Sequence, residues 1–503
     1  MQFKKLLIAN RGEVALRIMR TCDDMGLPTV AIFSEPDRLS PHVRYADEAY
    51  CIGPAPALQS YLNIEKVIAT AKEAGADAIH PGYGFLSENA NFADACRAAG
   101  ITFVGPDGRM IRTMGDKIGA RSAMEAAGIP VIPGGTLADL DETKALARRV
   151  GYPVVVKPAG GGGGKGMHVV DREADLELAL RRAASEAGSS FGNSTVYLEK
   201  YLSPVRHIEV QIIRDGFGNT IHLGERECSV QRRHQKIIEE SPSVAVDPAL
   251  RVRMVATAKT AVEAANYVGV GTIEFLLDKD RDFYFLEMNT RLQVEHTVTE
   301  QVTGMDMVQD QILVAEGLPL PYKQENVRFY GHAVECRISA EDPYNNFIPS
   351  PGVIELLNEP GGPGVRVDTG VSKGFEVPLY YDPLIAKVIA WGRTRDQAIR
   401  RMTRALRHYK LLGIKNNIPF LLAIIQHPEF KSGALHTGFL EVHPALFEEQ
   451  PMADGQIAAI AAAVLEQRKS STRDRADADA RAAPPGATWR LSARSPAWSR
   501  EWP

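Results

Sequence analysis

Short apolar runs alternate with helix-spaced apolar positions through the first part of the chain. The stretch 4–9, KKLLIA, reads as a strand, and Val14, Ile18 and Cys22 then recur at four-residue spacing, as one face of a helix requires. LPTVAIFS at 27–34 reads as another strand and residues 64–74 as another helix, and ADAIHPGYG and ITFVG continue the alternation. This order predicts an open α/β unit with a mostly parallel sheet, ending near residue 113.

A helical segment at 114–127 leads into a smaller unit over about 129–201. Its strand YPVVVKP, glycine loop, helix at 172–187 and strand TVYLEKY are spaced as a compact lid. From 205 to 295 the segments RHIEVQIIRD, NTIHLGERECSVQRR, GTIEFLLDKD and DFYFLEMNTRLQVE predict an antiparallel or mixed sheet, with DKDRD turning between the last two. Residues 332–446 add a third α/β region containing HAVECRISAE, GVRVDTG, PLIAKVIAWG and a helix near 395–409. After Phe447 an alanine-rich segment, helical over 455–468, precedes the polar, proline-punctuated RKSSTRDRADADARAAPPGATWR, which is expected to be disordered or weakly docked. The pattern thus divides the chain into 1–113, 114–331 with the lid inside it, 332–446, and a tail at 447–503.

Composition narrows the function little. With 503 residues, 45% apolar and 24% charged, the chain is ordinary for a multidomain globular protein, and a net charge of -4 gives no support for a nucleic-acid surface. No apolar run approaches the roughly 20 residues of a membrane span. Leu6, Leu7 and Ile8 are interrupted by Asn10, Arg11 and Glu13, too soon for a signal peptide, so a cytoplasmic location is expected. Cys22, Cys51, Cys96, Cys228 and Cys336 form no CxxC pair, which argues against disulfides and structural zinc; at least three are expected to be buried as small hydrophobes.

Candidate chemistry concentrates in three places. GGGGGKG at 160–166 follows the strand bearing Lys157, and glycines let backbone N–H groups approach phosphate oxygens closely. Lys165 is followed by Gly166, so this is not a P-loop, and a nucleoside triphosphate fits better than a dinucleotide. In FYFLEMNTRLQVEH, a strand that stays extended would place Glu287, Asn289, Arg291, Gln293 and Glu295 on one face. Glu274 in the preceding strand can face Glu287, and these oxygens suit Mg²⁺ holding nucleotide phosphates. The run ERECSVQRRHQK offers cations with Gln231 and His234 for phosphate or bicarbonate, though alone it reads equally well as a solvated basic face.

Taken in order, KKLLIANRGEVALRIMR, HPGYGFLSENANFA, MGDK, GGGGGKGM, EKY, ERECSVQRRHQKIIEE, EMNTRLQVEHTVTE, HAVECRISAEDP and YYDPLIAKVI resemble the biotin carboxylase component of the biotin-dependent carboxylases, members of the ATP-grasp superfamily, over roughly residues 1–446. The resemblance implies an N-terminal open α/β domain, an ATP-grasp domain with a mobile glycine-rich lid, and a C-terminal α+β domain. It implies ATP contacts at Lys117, Lys157, Gly162, Gly163, Gly164, Lys165, Gly166, Glu199, Lys200, Leu202, His207, Gln231 and His234, with Glu199 to Leu202 at the hinge near adenine. Glu274, Glu287 and Asn289 would bind Mg²⁺ or Mn²⁺. Arg291, Lys236 and the backbone of Gln293 and Val294 would hold bicarbonate, with Glu295 as general base. Carboxyphosphate would follow, and Arg337 would stabilise the ureido oxyanion of biotin while its N1 is carboxylated. The scheme needs no nucleophile at Cys228. Lys165 stands where many members carry arginine, which alters the expected hydrogen-bond geometry.

No Met-Lys-Met biotinylation triplet occurs, so the resemblance implies a biotin carboxyl carrier protein and a carboxyltransferase on separate chains, no nucleic-acid or membrane partner, and a homodimer. Acetyl-CoA is the default acceptor system. A two-part pyruvate carboxylase, a propionyl-CoA or other acyl-CoA carboxylase, and more distantly another carboxylate–amine ATP-grasp ligase are the alternatives.

Overall fold

Leu6–Ile8, Thr29–Ser34 and Ala78–His80 are buried along their whole length, as strands covered on both faces must be. They form the middle of a five-stranded sheet in the order Glu48–Gly53, Thr29–Ser34, Leu6–Ile8, Ala78–His80, Thr102–Phe103, parallel throughout. Helix Gly12–Asp24 turns Val14, Ile18 and Cys22 into the core, the face that their spacing predicts. This computed structural model describes residues 3–136, 139–159, 166–191, 194–449 and, farther on, 462, 465 and 466. The tail predicted helical over 455–468 therefore lies almost wholly outside the described residues, as do Gly162, Gly163, Gly164 and Lys165.

The centre of the main unit is an eight-stranded sheet, antiparallel at every pairing. Its order is Phe283–Asn289, Gly269–Leu277, Arg206–Arg214, Thr220–Arg232, Gln235–Ser241, His332–Ser339, Leu384–Gly392 and Val365–Thr369. Strands from beyond residue 331 thus continue the ladder begun at 206, joined where Ile238 stands opposite Cys336 and Glu239 opposite Glu335. Helices Arg395–His408 and Ile418–Gln426 close the core on that side through Met402, Leu406, Leu421 and Ile424.

The lid segments build their own four-stranded antiparallel sheet, ordered Gly134–Thr136, Val196–Lys200, Val154–Pro158, His168–Val170. Helices Leu140–Val150 and Glu173–Phe191 supply Leu146, Leu176 and Ala183 to a small core of its own. Cys22, Cys96, Cys228 and Cys336 are buried and Cys51 is exposed, all as free thiols. Burial pushes the Cys228 thiol well above its ordinary range, with Glu209 adding to it and Lys236 opposing, so its arginine neighbours do not activate it as a thiolate. Among the described residues no helix is long and apolar enough to cross a membrane.

Candidate active site

Strand register sets out a row of charges across the central sheet. Arg226 stands opposite Glu209, Glu209 opposite Glu274, and Glu274 opposite Glu287. The facing of Glu274 and Glu287 is what the DKDRD hairpin predicts. Like charges directly opposite destabilise a sheet unless a cation lies between them. Lys236, reaching over from Gln235–Ser241, is that cation: its ammonium donates to Glu209 at 2.5 Å, Glu274 at 2.8 Å and Glu295 at 2.5 Å. Burial alone would lower the Lys236 pKa, but the three carboxylates outweigh it and hold the ammonium well above its ordinary range.

The strand carrying Glu287 ends at Asn289 and does not run on to residue 296 as the alternation predicts. Glu88 draws the chain away: one carboxylate oxygen accepts from the Thr290 N–H at 3.2 Å and the other from Arg291 Nε at 2.9 Å. Leu292 is buried in the core, and Glu295 occupies the N-cap position of helix His296–Thr303. The polar side chains nonetheless converge, by a loop rather than by period two. Asn289 Nδ2 and Gln293 Nε2 each donate to Glu274 Oε1 at 2.9 Å, and Arg291 donates to Asn289 Oδ1 at 2.9 Å.

Glu295 is held at both oxygens, by Lys236 and, at 2.8 Å, by Arg337. Burial would raise its pKa, but Lys236, Arg337 and Arg226 together hold the carboxyl below the usual carboxylate range. The Arg337 guanidinium is forked, its Nε donating to Glu239 at 2.6 Å. Glu274 and Glu287 split in opposite directions. Burial would raise Glu274, yet Lys236 and His207 hold it well below its ordinary value. Burial and the neighbouring Glu274 push Glu287 up, opposed by Lys117 at 4.0 Å. Two adjacent carboxylates with a nearby amide oxygen, one of them short of cations, are a donor set that fits a hard divalent ion.

Of the predicted site residues that are described, all but Glu199 and Gly166 line one cavity of about 620 Å³. Glu199 is buried instead as a partner for cations, accepting from Lys157 at 2.7 Å and from Arg121 at 3.0 Å. Lys200 lines the cavity while donating to the Gly151 and Tyr152 carbonyls at 2.9 and 3.1 Å, which ties the lid's last strand to the turn after helix Leu140–Val150. His207 Nδ1 meets Gln231 Nε2 at 2.9 Å. A second cavity of about 410 Å³, walled by Tyr83, Phe85 and Tyr381, shares Lys236, Arg291, Val294 and Arg337 with the first. Two compartments that meet at three cations, with the Glu295 carboxylate on the larger side, can bring two substrates to one anionic intermediate.

Reading the sequence alone misses Glu88, Glu209, Glu239 and Arg226. Arg226 belongs to the basic run read as anion-binding, but it is fully buried within the sheet. It donates to Glu209, to Gln211 and Gln293 at 2.7 Å, to Thr299 at 3.0 Å and to Thr272 at 3.2 Å. Arg226→Met takes from Glu209 one of its two cations, leaving Lys236, and strands the buried Gln211 and Gln293 oxygens, and is expected to destabilise the protein by about 3 kcal/mol. Denaturant unfolding checks this, and an unchanged midpoint would show that the network adds nothing to stability.

Three family models match the chain: "Biotin carboxylase, N-terminal domain" over residues 2–111, "Carbamoyl-phosphate synthase L chain, ATP binding domain" over 116–323, and "Biotin carboxylase C-terminal domain" over 335–442. The chain is 51% identical over 446 residues to biotin carboxylase 1 of Bacillus subtilis, covering 88% of this chain and 99% of that one. It is also 51% identical over 442 residues to a pyruvate carboxylase subunit from Methanothermobacter thermautotrophicus, covering 87% and 90%. Among solved structures it is similar to the biotin carboxylase domain dimer of Hydrogenobacter thermophilus 2-oxoglutarate carboxylase in complex with MgADP, ADP and bicarbonate. That match has 46% identity and a TM-score of 0.86, and covers 90% of this chain and 100% of the other.

Proposed function

The chain belongs to the biotin carboxylase family, whose members carboxylate biotin with ATP and bicarbonate, and we propose that it is the biotin carboxylase subunit of an acetyl-CoA carboxylase. The observation that carries the chemistry is the meeting of two cavities at Lys236, Arg291 and Arg337, beside Glu295. ATP takes the larger cavity, with Lys117 and Lys157 toward its phosphates. Glu274, Glu287 and Asn289 would hold magnesium or manganese, which would supply charge neutralisation during phosphoryl transfer.

Arg291, Lys236 and the backbone at Gln293 and Val294 hold bicarbonate. Glu295 removes its proton, and the bicarbonate oxygen attacks the γ-phosphorus of ATP, giving carboxyphosphate and ADP. Carboxyphosphate breaks down to CO₂ and phosphate. The phosphate accepts the N1 proton of biotin, Arg337 stabilises the resulting ureido oxyanion, and CO₂ joins N1.

Near-complete coverage of the Bacillus biotin carboxylase supports the biotin carboxylase reading, and the acetyl-CoA acceptor is the default that the family resemblance carries. The pyruvate branch is the second reading, favoured by equal identity to the Methanothermobacter protein. In either branch the carrier protein and the carboxyltransferase are separate chains and the biotin carboxylase is a homodimer. ADP release with Mg²⁺ and bicarbonate, with and without free biotin, tests the half-reaction. Biotin stimulation that vanishes without bicarbonate is the expected result. No stimulation even with biotinylated carrier, together with turnover of an amine, would favour a carboxylate–amine ligase instead.

A further inference from the structure

Behind the anion site lies a lysine that the scheme above does not use. Lys387, on strand Leu384–Gly392, stands opposite Arg337 on one side and Asp368 on the other, and it is fully buried. Its ammonium donates to the Val294 carbonyl at 2.9 Å, lies 3.4 Å from Glu13 Oε2, and sits 5.8 Å from the centre of the Tyr83 ring. Glu13, in the first turn of helix Gly12–Asp24, is itself buried, and its carboxylate makes no other close polar contact among the described residues.

Burying a lysine and a glutamate in the wall of the smaller cavity, which Glu13 lines, is costly, and well-packed apolar side chains of similar size would often be at least as stable. What those could not supply is a donor to residue 294. Val294 belongs to neither a helix nor a strand, so no ladder satisfies its carbonyl, and Val294 lines both cavities. The peptides on either side belong to Gln293 and Glu295, so the orientation of this one carbonyl fixes the backbone between the anion-holding N–H groups and the general base.

We propose that Lys387, held by Glu13, is a positioning residue that sets the geometry of the bicarbonate-holding loop from behind. The assignment rests on the bicarbonate reading given above. It differs from a merely structural ion pair in one measurable respect. A structural pair matters only through its unpaired charge when broken, whereas a positioning lysine matters through the hydrogen bond it gives to Val294.

Three variants separate the two: Lys387→Met, Glu13→Gln, and the double variant, which removes the Lys387–Glu13 pair as a unit. Lys387→Met is expected to raise the KM for bicarbonate about tenfold, the usual size for a lost hydrogen bond to a charged donor, with the KM for ATP unchanged. Glu13→Gln keeps the bond to Val294 and is expected to raise it less. The double variant is expected to regain the melting temperature lost in Lys387→Met but to keep the raised bicarbonate KM. It also carries the test should the single lysine variant fail to fold. Recovery of the bicarbonate KM together with stability in the double variant would overturn the proposal. So would a bicarbonate KM in Lys387→Met equal to that of the wild type. A wild-type enzyme whose ADP release ignores bicarbonate would remove the reading beneath the proposal, and the proposal with it, a failure distinguishable because it appears before any variant is made.

Discussion

Glu295→Gln is expected to lower bicarbonate-dependent ADP release by about 10²- to 10⁴-fold while leaving ATP binding intact, the range for loss of a positioned general base. Both Glu295 oxygens are engaged, by Lys236 at 2.5 Å and Arg337 at 2.8 Å, and the surrounding cations hold the carboxyl low despite its burial. Without substrate it is therefore a weak base. In the proposed scheme a bicarbonate anion settling at Lys236 and Arg291 draws on the Lys236 charge and adds negative charge beside the carboxylate, and both effects raise its affinity for a proton. The base is strengthened by the arrival of the molecule it must deprotonate. Glutamine preserves the shape and can still accept a hydrogen bond, but it cannot take the proton. Steady-state ADP release alongside calorimetric ATP titration checks this, and near-normal turnover would reject Glu295 as the base.

For Arg337→Ala the expected loss is about 10²-fold in biotin-dependent turnover, comparable to removal of an oxyanion donor, with little change in ATP affinity. The fold should tolerate the change. Arg337 leaves behind Glu239, which burial already pushes up to about 8 against the pull of Arg337 itself. Removing the guanidinium removes the pull that opposes burial, so the Glu239 carboxyl shifts further toward its neutral form. Comparing ATP cleavage with and without biotin separates the roles. A defect confined to nucleotide affinity would count against Arg337 as the ureido-oxyanion partner.

Parts of this site are legible in the sequence because their causes are local. The opposition of Glu274 and Glu287 needs only period-two alternation and a short turn between them. The gathering of Arg291, Gln293 and Glu295 around Glu274 also follows from the sequence, but the reason offered there, a continuous strand, fails because Glu88 captures the backbone at Thr290. Glu88 lies some two hundred positions earlier in the chain, and no local pattern announces such a contact. Glu209 left a fainter sign. An acid between Ile208 and Val210, in a strand buried almost throughout, has to be met by cations, although nothing local says that these are Arg226 and Lys236. The joining of residues beyond 331 to the central sheet is likewise a pairing between distant strands, which periodicity within each strand cannot express.

That continuous ladder bears on how such a chain can change over evolutionary time. The lid sheet is complete in itself, and the segment touches the eight-stranded ladder through a single bridge, Val131 to Phe285, so exchanging it for a foreign counterpart disturbs only the edge of that sheet. A crossover near residue 331 is different. It would reseat the pairing of Gln235–Ser241 with His332–Ser339, the two strands that bring Lys236, Glu239 and Arg337 together. Recombination can therefore trade lids that bring their own nucleotide-facing lysine at the position of Lys157, but the C-terminal strands must be inherited together with the partners they pair with.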